Sequence, residues 1–331
     1  ADNPENCLNL HPQKQKSMKR VFIMSLCLMT AVLSHAGNIK VYVAEYRDAK
    51  DCAVSFTFDD GFKDHYTVAA PELEKRGWRG TFWVNGARVP GEKEAMKNRM
   101  SWDDIREMDS RGHEMSNHGW SHKRLTRCSA EVVREEIERN DSAMTANLGK
   151  KPLTFCYPYN AKNKDVISMA SAGRIATRLF QFPLGCQSPD REIYRRMNRT
   201  LEDHGWAIWM THAVTEGYDY FRKFDRYLAF LDYIKKHEAR IWVGTFGEVA
   251  AYLTERDAIK LEQEPRPEGV VVTPVLDLDP SVFDVSLTMV VDADENVSAI
   301  QDGMELNILS SGGKSSFNFN PYGGKIHITV R

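Results

Sequence analysis

Between residues 52 and 260, short runs of β-branched and aromatic residues alternate with longer stretches in which apolar positions recur at helical spacing. The runs at 53–58, 80–84, 113–117, 153–157, 174–179, 206–212 and 241–245 predict strands. The stretches at 66–76, 101–110, 129–148, 164–172, 225–237 and 248–259 predict helices between them. Strands separated by helices need crossover connections, so they lie parallel. About seven such units fit an α/β fold of the distorted (β/α) barrel type better than a doubly wound sheet.

The pattern changes at both ends. After Glu262-Gln263-Glu264-Pro265-Arg266-Pro267 the helical period stops, and 269–331 alternates Val-rich segments with Asp-Pro, Gly-Gly and Asn-Pro breaks. This predicts a linker at 261–268 and a small C-terminal all-β region at 269–331, after a lead-in at 37–51 and a catalytic barrel at 52–260. Because the alternating units end before that region, the barrel is expected to fold without it. Near the start, Met18-Lys19-Arg20, an apolar run at 21–33 and small residues at 34–36 predict a signal peptide at 18–36, with 1–17 an upstream extension. The apolar run is too short to span a bilayer stably. The expected location is therefore exported, whether periplasmic, cell-surface or extracellular, with no stable membrane span after cleavage. A lipoprotein signal would need a small residue before Cys27, and Leu26 stands there.

Composition narrows the function classes. The chain has 331 residues, 42% hydrophobic and 27% charged, as globular proteins do. Lys and Arg number 44 against 46 Asp and Glu, without a basic stripe, which argues against nucleic acid as a partner. Four cysteines follow the signal, Cys52, Cys128, Cys156 and Cys186, with no CxxC pair, so neither a zinc knuckle nor a dense disulfide framework is indicated. Free thiols and three disulfide pairings all stay open.

The candidate chemistry clusters at predicted strand ends. Thr57-Phe58-Asp59-Asp60-Gly61 places two adjacent carboxylates at the C-terminal end of the first strand, where barrel active sites lie. Alone, Asp-Asp-Gly reads better as turn chemistry. Asn117-His118-Gly119-Trp120-Ser121-His122 follows the third strand with two imidazoles at a spacing that converges on one metal. If the strand ends meet, Asp60 supplies a third ligand and leaves open positions, as catalytic metal sites do. Cys156-Tyr157-Pro158-Tyr159 ends the fourth strand, and Trp209-Met210-Thr211-His212 ends a later one. An isolated His212 would read as a core or capping histidine; the shared rim raises the functional reading.

Taken in order, TFDDG, HGWSH, YPY and the late TH resemble the motifs of polysaccharide deacetylases of carbohydrate esterase family 4, over residues 52–260. The resemblance implies a distorted, incomplete barrel and one divalent metal, commonly zinc, serving removal of N- or O-linked acetyl groups from a glycan. It implies Asp60, His118 and His122 as metal ligands and Asp59 as general base. It further implies His212 as general acid and the Tyr159 N–H as part of an oxyanion hole. With a glycan as substrate, Trp120 and Tyr159 are candidates to stack on sugar rings, although aromatic residues near a strand end more often pack. Three departures stand out. Gly119 replaces a family Ser or Thr, Cys156 occupies the place of an Arg that braces the catalytic Asp, and no Asp-x-x-Asp-Trp segment braces the acid histidine. Arg174, Arg178, Arg195 and Arg199 are candidates to restore the lost charge. These gaps motivate a rival reading, a catalytically impaired carbohydrate-binding protein on the same barrel. A metal phosphoesterase would want a second ligand cluster, which the remaining histidines do not form.

Overall fold

The computed structural model describes residues 39–293 and 296–330; the expected signal peptide and upstream extension lie outside the described residues. The chain enters through β1 (Lys40–Val43) and then builds β2 (Cys52–Phe58), α1 (Ala70–Glu74), β3 (Thr81–Val84), α2 (Trp102–Ser110), β4 (Glu114–Asn117), α3 (Ala130–Leu148) and β5 (Thr154–Cys156). It continues through α4 (Lys164–Ser171), β6 (Ala176–Arg178), β7 (Phe182–Pro183), α5 (Asp190–Glu202), β8 (Trp206–Thr211), α6 (Phe224–Lys236), β9 (Ile241–Val243) and α7 (Phe246–Ala258).

These strands form one parallel sheet in the order β6-β5-β4-β3-β2-β8-β7. All seven predicted barrel strands are present, and β7 is an addition. Strand β2 is buried at every position, which suits a central strand covered on both faces. β8 pairs along one of its edges; the other is divided, with β9 on Cys52–Val54 and β3 on Thr57–Phe58. The two end strands, β6 and β7, are joined by residues 179–181 alone. That connection spans at most about 14 Å, so the sheet has to curl until its ends nearly meet. The result is the distorted (β/α) barrel expected from the pattern.

Local sequence explains the helix ends. Ser101 and Asp104 form a reciprocal capping box on α2, as Thr245 and Glu248 do on α7. Ser129 caps α3, which stops at Gly149 in the left-handed conformation. Helix α5 was not anticipated, because its apolar stripe is reduced to Ile193, Met197 and Leu201 amid charged residues.

After α7 come β10 (Lys260–Arg266), β11 (Gly269–Val275), β12 (Leu287–Asp292), β13 (Val297–Gln301), β14 (Met304–Glu305), β15 (Leu309–Ser311), β16 (Lys314–Phe319) and β17 (Ile326–Val330). They make two antiparallel sheets, β1-β12-β16-β15 and β10-β11-β17-β13-β14. This all-β region departs from expectation in two respects. The expected linker at 261–268 is strand β10 and its turn, paired in register from Lys260↔Val275 to Arg266↔Gly269. As a sheet edge it tolerates Pro265 and stays mostly exposed, so it lacks the alternation that would reveal a strand. The lead-in is not separate either, since β1 pairs with β12. A shared core joins Ala53, Trp242, Val249 and Tyr252 of the barrel to Val272, Leu287, Met289, Phe317 and Ile326.

Candidate active site

Asp59 and Asp60 leave β2 in different directions because Asp60 adopts a left-handed backbone, φ 75°. His122, Tyr159 and Asn160 also have positive φ, at 62°, 60° and 51°. Non-glycine residues held there cost about 1–3 kcal/mol each and cluster where function fixes a side chain's aim.

Asp60, His118 and His122 converge. Asp60 Oδ1 lies 3.6 Å from His118 Nε2 and 3.2 Å from His122 Nε2. One donor atom from each residue falls within 4.8 Å of the others. The His118 Nδ1–H donates to the Cys156 carbonyl at 3.0 Å, which leaves Nε2 as the lone-pair nitrogen facing Asp60. Burial keeps both imidazoles neutral, lowering His118 and, helped by His118 itself, taking His122 down to about 3. Burial acts to raise Asp60, but the two histidines outweigh it and hold the carboxyl below its usual range. A carboxylate and two neutral imidazoles aimed at one point fit a divalent cation with open positions, zinc among those such donors hold.

Asp59 is buried and takes a different partner. Arg178 grips it with both terminal nitrogens, Nη1 to Oδ1 at 2.7 Å and Nη2 to Oδ2 at 2.5 Å, and Nη1 also donates to Thr57 Oγ1. Burial would raise the Asp59 carboxyl, but the Arg178 guanidinium holds it down at about 2. Of the four candidate arginines, Arg174 pairs with Asp141, Arg195 with Glu192 and Arg199 with Asp203. Arg178 stands opposite Cys156 in the β5–β6 register, so the brace has moved one strand sideways. Cys156 uses the vacated place to set its thiol 2.8 Å from His118 Nδ1, with burial pushing that thiol well above its ordinary value. Asp59, His118 and Cys156 also approach as three donors. The guanidinium on Asp59 makes that group the poorer cation site.

The loop carrying both histidines is held from α3. Glu136 accepts from the Ser121 N–H at 2.8 Å and the Ser121 hydroxyl at 2.6 Å, while Asn117 accepts from the Gly119 N–H at 2.7 Å. Gly119 itself sits at φ 74°, a conformation that a family-like Ser or Thr would take only with strain. On the opposite side, Asp64 Oδ2 gathers the N–H groups of Val214, Thr215 and Glu216, and His65 Nε2 meets the His212 carbonyl oxygen at 2.5 Å. The His212 ring meets Tyr218 edge-on at 4.9 Å and forms no side-chain hydrogen bond among the described residues.

A cavity of about 590 Å³ gathers Asp59, Asp60, His118, His122, Tyr159 and His212, with Arg88, Arg124, Asn160, Gln181, Met210 and Tyr218 completing its wall. The Tyr159 ring is 56% exposed and packs on His122 at 4.5 Å, while its N–H has no acceptor among the described residues. Trp120 is a correction: it does not line the cavity. It is 8% exposed, its indole sits where a Cβ on Gly86 would collide, and Arg139 covers it at 4.3 Å. Its predicted sugar platform is core packing. Sequence reasoning missed Glu136, Asp64 and His65 as loop anchors, and Arg88 and Arg124 in the wall. Only Asp64 and His65 carried a signal, their closeness to the Asp-Asp-Gly motif.

Comparison with known proteins agrees with these motifs. The family model described as polysaccharide deacetylase matches residues 46–177. Peptidoglycan-N-acetylglucosamine deacetylase PgdA of Listeria monocytogenes is 31% identical over 114 residues, covering 34% of this chain and 22% of that protein. A chitooligosaccharide deacetylase of Rhizobium leguminosarum bv. trifolii is 29% identical over 119 residues, 36% of this chain and 51% of the relative. The chain thus spans from about a fifth to half the length of these two curated relatives. Among solved structures, a family 4 pseudoenzyme from Bacillus anthracis aligns with TM-score 0.46 at 16% identity, covering 63% of this chain and 68% of that one. A variant of peptidoglycan deacetylase PdaC from Bacillus subtilis aligns with TM-score 0.43 at 19% identity, covering 62% and 94%. Over residues 46–177, the chain carries a stretch that matches the polysaccharide deacetylase family model.

Proposed function

We propose that the protein is a metal-dependent hydrolase that removes N- or O-linked acetyl groups from an exported or cell-surface glycan. The observation that carries this reading is the placement of Asp60, His118 and His122 around one point, flanked in one cavity by Asp59 and His212. A divalent ion held by those three residues, zinc for preference, would supply polarisation of the acetyl carbonyl and a more acidic water. Asp59, kept ionised by Arg178, takes the proton of the attacking water. The Tyr159 N–H, without an acceptor among the described residues, would donate to the developing oxyanion; loss of such a donor costs about 10²–10³ in rate elsewhere. His212 hands a proton to the departing sugar nitrogen or oxygen, a step that matters most for an amine. The relatives are named as peptidoglycan and chitooligosaccharide deacetylases, which supports an N-acetylated glycan among the substrates.

A second reading is favoured by one observation, that no carboxylate among the described residues bonds the His212 ring: a carbohydrate-binding protein with impaired catalysis. Acetate release from a panel of N- and O-acetylated glycans, with the protein stripped of metal and then reloaded with zinc, decides between them. Zinc-dependent release supports the hydrolase. Tight binding without release from any substrate supports the binding protein.

A further inference from the structure

The cavity wall holds more positive charge than the chemistry above uses. Asp59 is already matched by Arg178 through two hydrogen bonds. Asp60 belongs to the ligand group, and among the described residues its only guanidinium contact is Arg88 Nη1 at a long 3.4 Å. Arg88 meets no other carboxylate among the described residues. Arg124 is exposed and unpaired by any carboxylate among the described residues; its guanidinium lies 4.8 Å from the centre of the Tyr159 ring. Two guanidiniums thus face a concave site that would also hold a divalent ion. A neutral acetylated sugar leaves this field unanswered.

The placement is one-sided. Arg88 follows β3 and Arg124 follows β4, whereas His212 follows β8 across β2 in the sheet order. Their positive charge therefore lies away from the side where the leaving group is protonated. Guanidinium forks match planar and tetrahedral oxyanions through paired donors, and low-dielectric walls concentrate the field. Resting on the deacetylase reading, we propose that the substrate is an acidic glycan, with an oxyanion substituent beside the acetylated position held by Arg88 and Arg124. A carboxylate, as on a uronic acid or a carboxyalkyl ether, and a sulfate ester share this chemistry.

The test compares zinc-loaded protein on an acetylated uronic-acid oligosaccharide, its carboxyl-reduced neutral counterpart and a sulfated N-acetylhexosamine oligomer. A kcat/KM preference of about tenfold or more for an acidic substrate is expected, the scale of one charged hydrogen bond. The ratio of acidic to neutral should fall toward one in Arg124→Gln and be partly kept in Arg124→Lys. Which acidic arm responds identifies the oxyanion. In parallel, calorimetry follows binding of the deacetylated uronic-acid oligosaccharide to metal-loaded and metal-free protein; binding should weaken with salt and with Arg124→Gln. Equal rates on acidic and neutral substrates, unchanged by Arg124→Gln, would overturn the inference and leave the deacetylase reading standing. Arginine-dependent binding with no acetate release from any substrate keeps the oxyanion site on Arg88 and Arg124 and overturns the deacetylase reading. Neither release nor arginine-dependent binding overturns both.

Discussion

Asp59 and Asp60 are neighbours in the chain and strangers in their surroundings. One faces a guanidinium, the other two neutral imidazoles, because the backbone turns left-handed between them. Their amide variants should therefore fail differently. Asp59→Asn is expected to lower kcat by about 10²–10⁴ with zinc still bound. Asp60→Asn should instead weaken zinc binding by at least the roughly 10–100-fold that outer-sphere partners cost. Zinc titration beside acetate release reads both, and near-normal turnover in Asp59→Asn would remove the base assignment. Arg178→Gln leaves a buried carboxylate unpaired, a change that costs about 3–5 kcal/mol. It should lower both Tm and kcat, with Arg178→Lys recovering part of each. In the double variant Asp59→Asn/Arg178→Gln the stability losses should not add, since both remove one contact. Additive losses in melting experiments would mean that the pair is not coupled. Asp59, Asp60, His118 and His122 were legible because each motif is contiguous and its spacing carries the geometry. Arg178 was one of four equal candidates, as the register that sets it beside Cys156 is written in strand pairing and not in any local run.

Elements show the same division. Strands such as Cys52–Phe58 and Trp206–Thr211 were legible as apolar runs because both faces are covered, whereas β10 was hidden by its exposure and its proline. Helix α7 links the two regions through Glu255. Its carboxyl is fully buried, with Oε1 accepting from the Val285 N–H at 3.1 Å and Oε2 without a partner. Burial raises it from 4.5 to about 7, with Asp284 adding to the effect. A carboxyl raised in the folded state favours folding below its unfolded value, and this contribution is lost as pH climbs through the folded value. Glu255→Gln, which cannot ionise, should thus match the parent near pH 4.5 and melt higher than it above about pH 7. Melting curves across that window test the sign; a variant that gains stability only in acid would contradict the burial argument.

At the scale of the whole molecule, the all-β region is less separable than its composition suggested. Removing residues 259–331 would strip the cover from Trp242, Val249 and Tyr252 and leave β1 without its partner. Each large apolar side chain returned to water costs about 1.5–3 kcal/mol, against total stabilities of about 5–15 kcal/mol. We expect a chain ending at Ala258 to lose its cooperative melt, contrary to the expectation from the pattern alone. A sharp transition in that truncated protein would restore the idea of an autonomous barrel.

Strand β1 precedes the barrel and pairs with β12, so Lys40 waits for Asp292. The barrel is in effect threaded through a clasp that the ribosome completes only after all the barrel strands. Its own contacts can form as each βα unit emerges, while the clasp pays a long loop closure and shuts only once β12 has followed the last barrel strand. Translation order therefore leaves β1 as an open sheet edge until β12 emerges, the kind of surface that invites wrong partners. In pulse-labelled hydrogen exchange during refolding, β2 to β5 should gain protection before β1 and β12 do. A molecule arrested before β12 would lack the cover on Trp242, Val249 and Tyr252 and leave its first strand still looking for a mate.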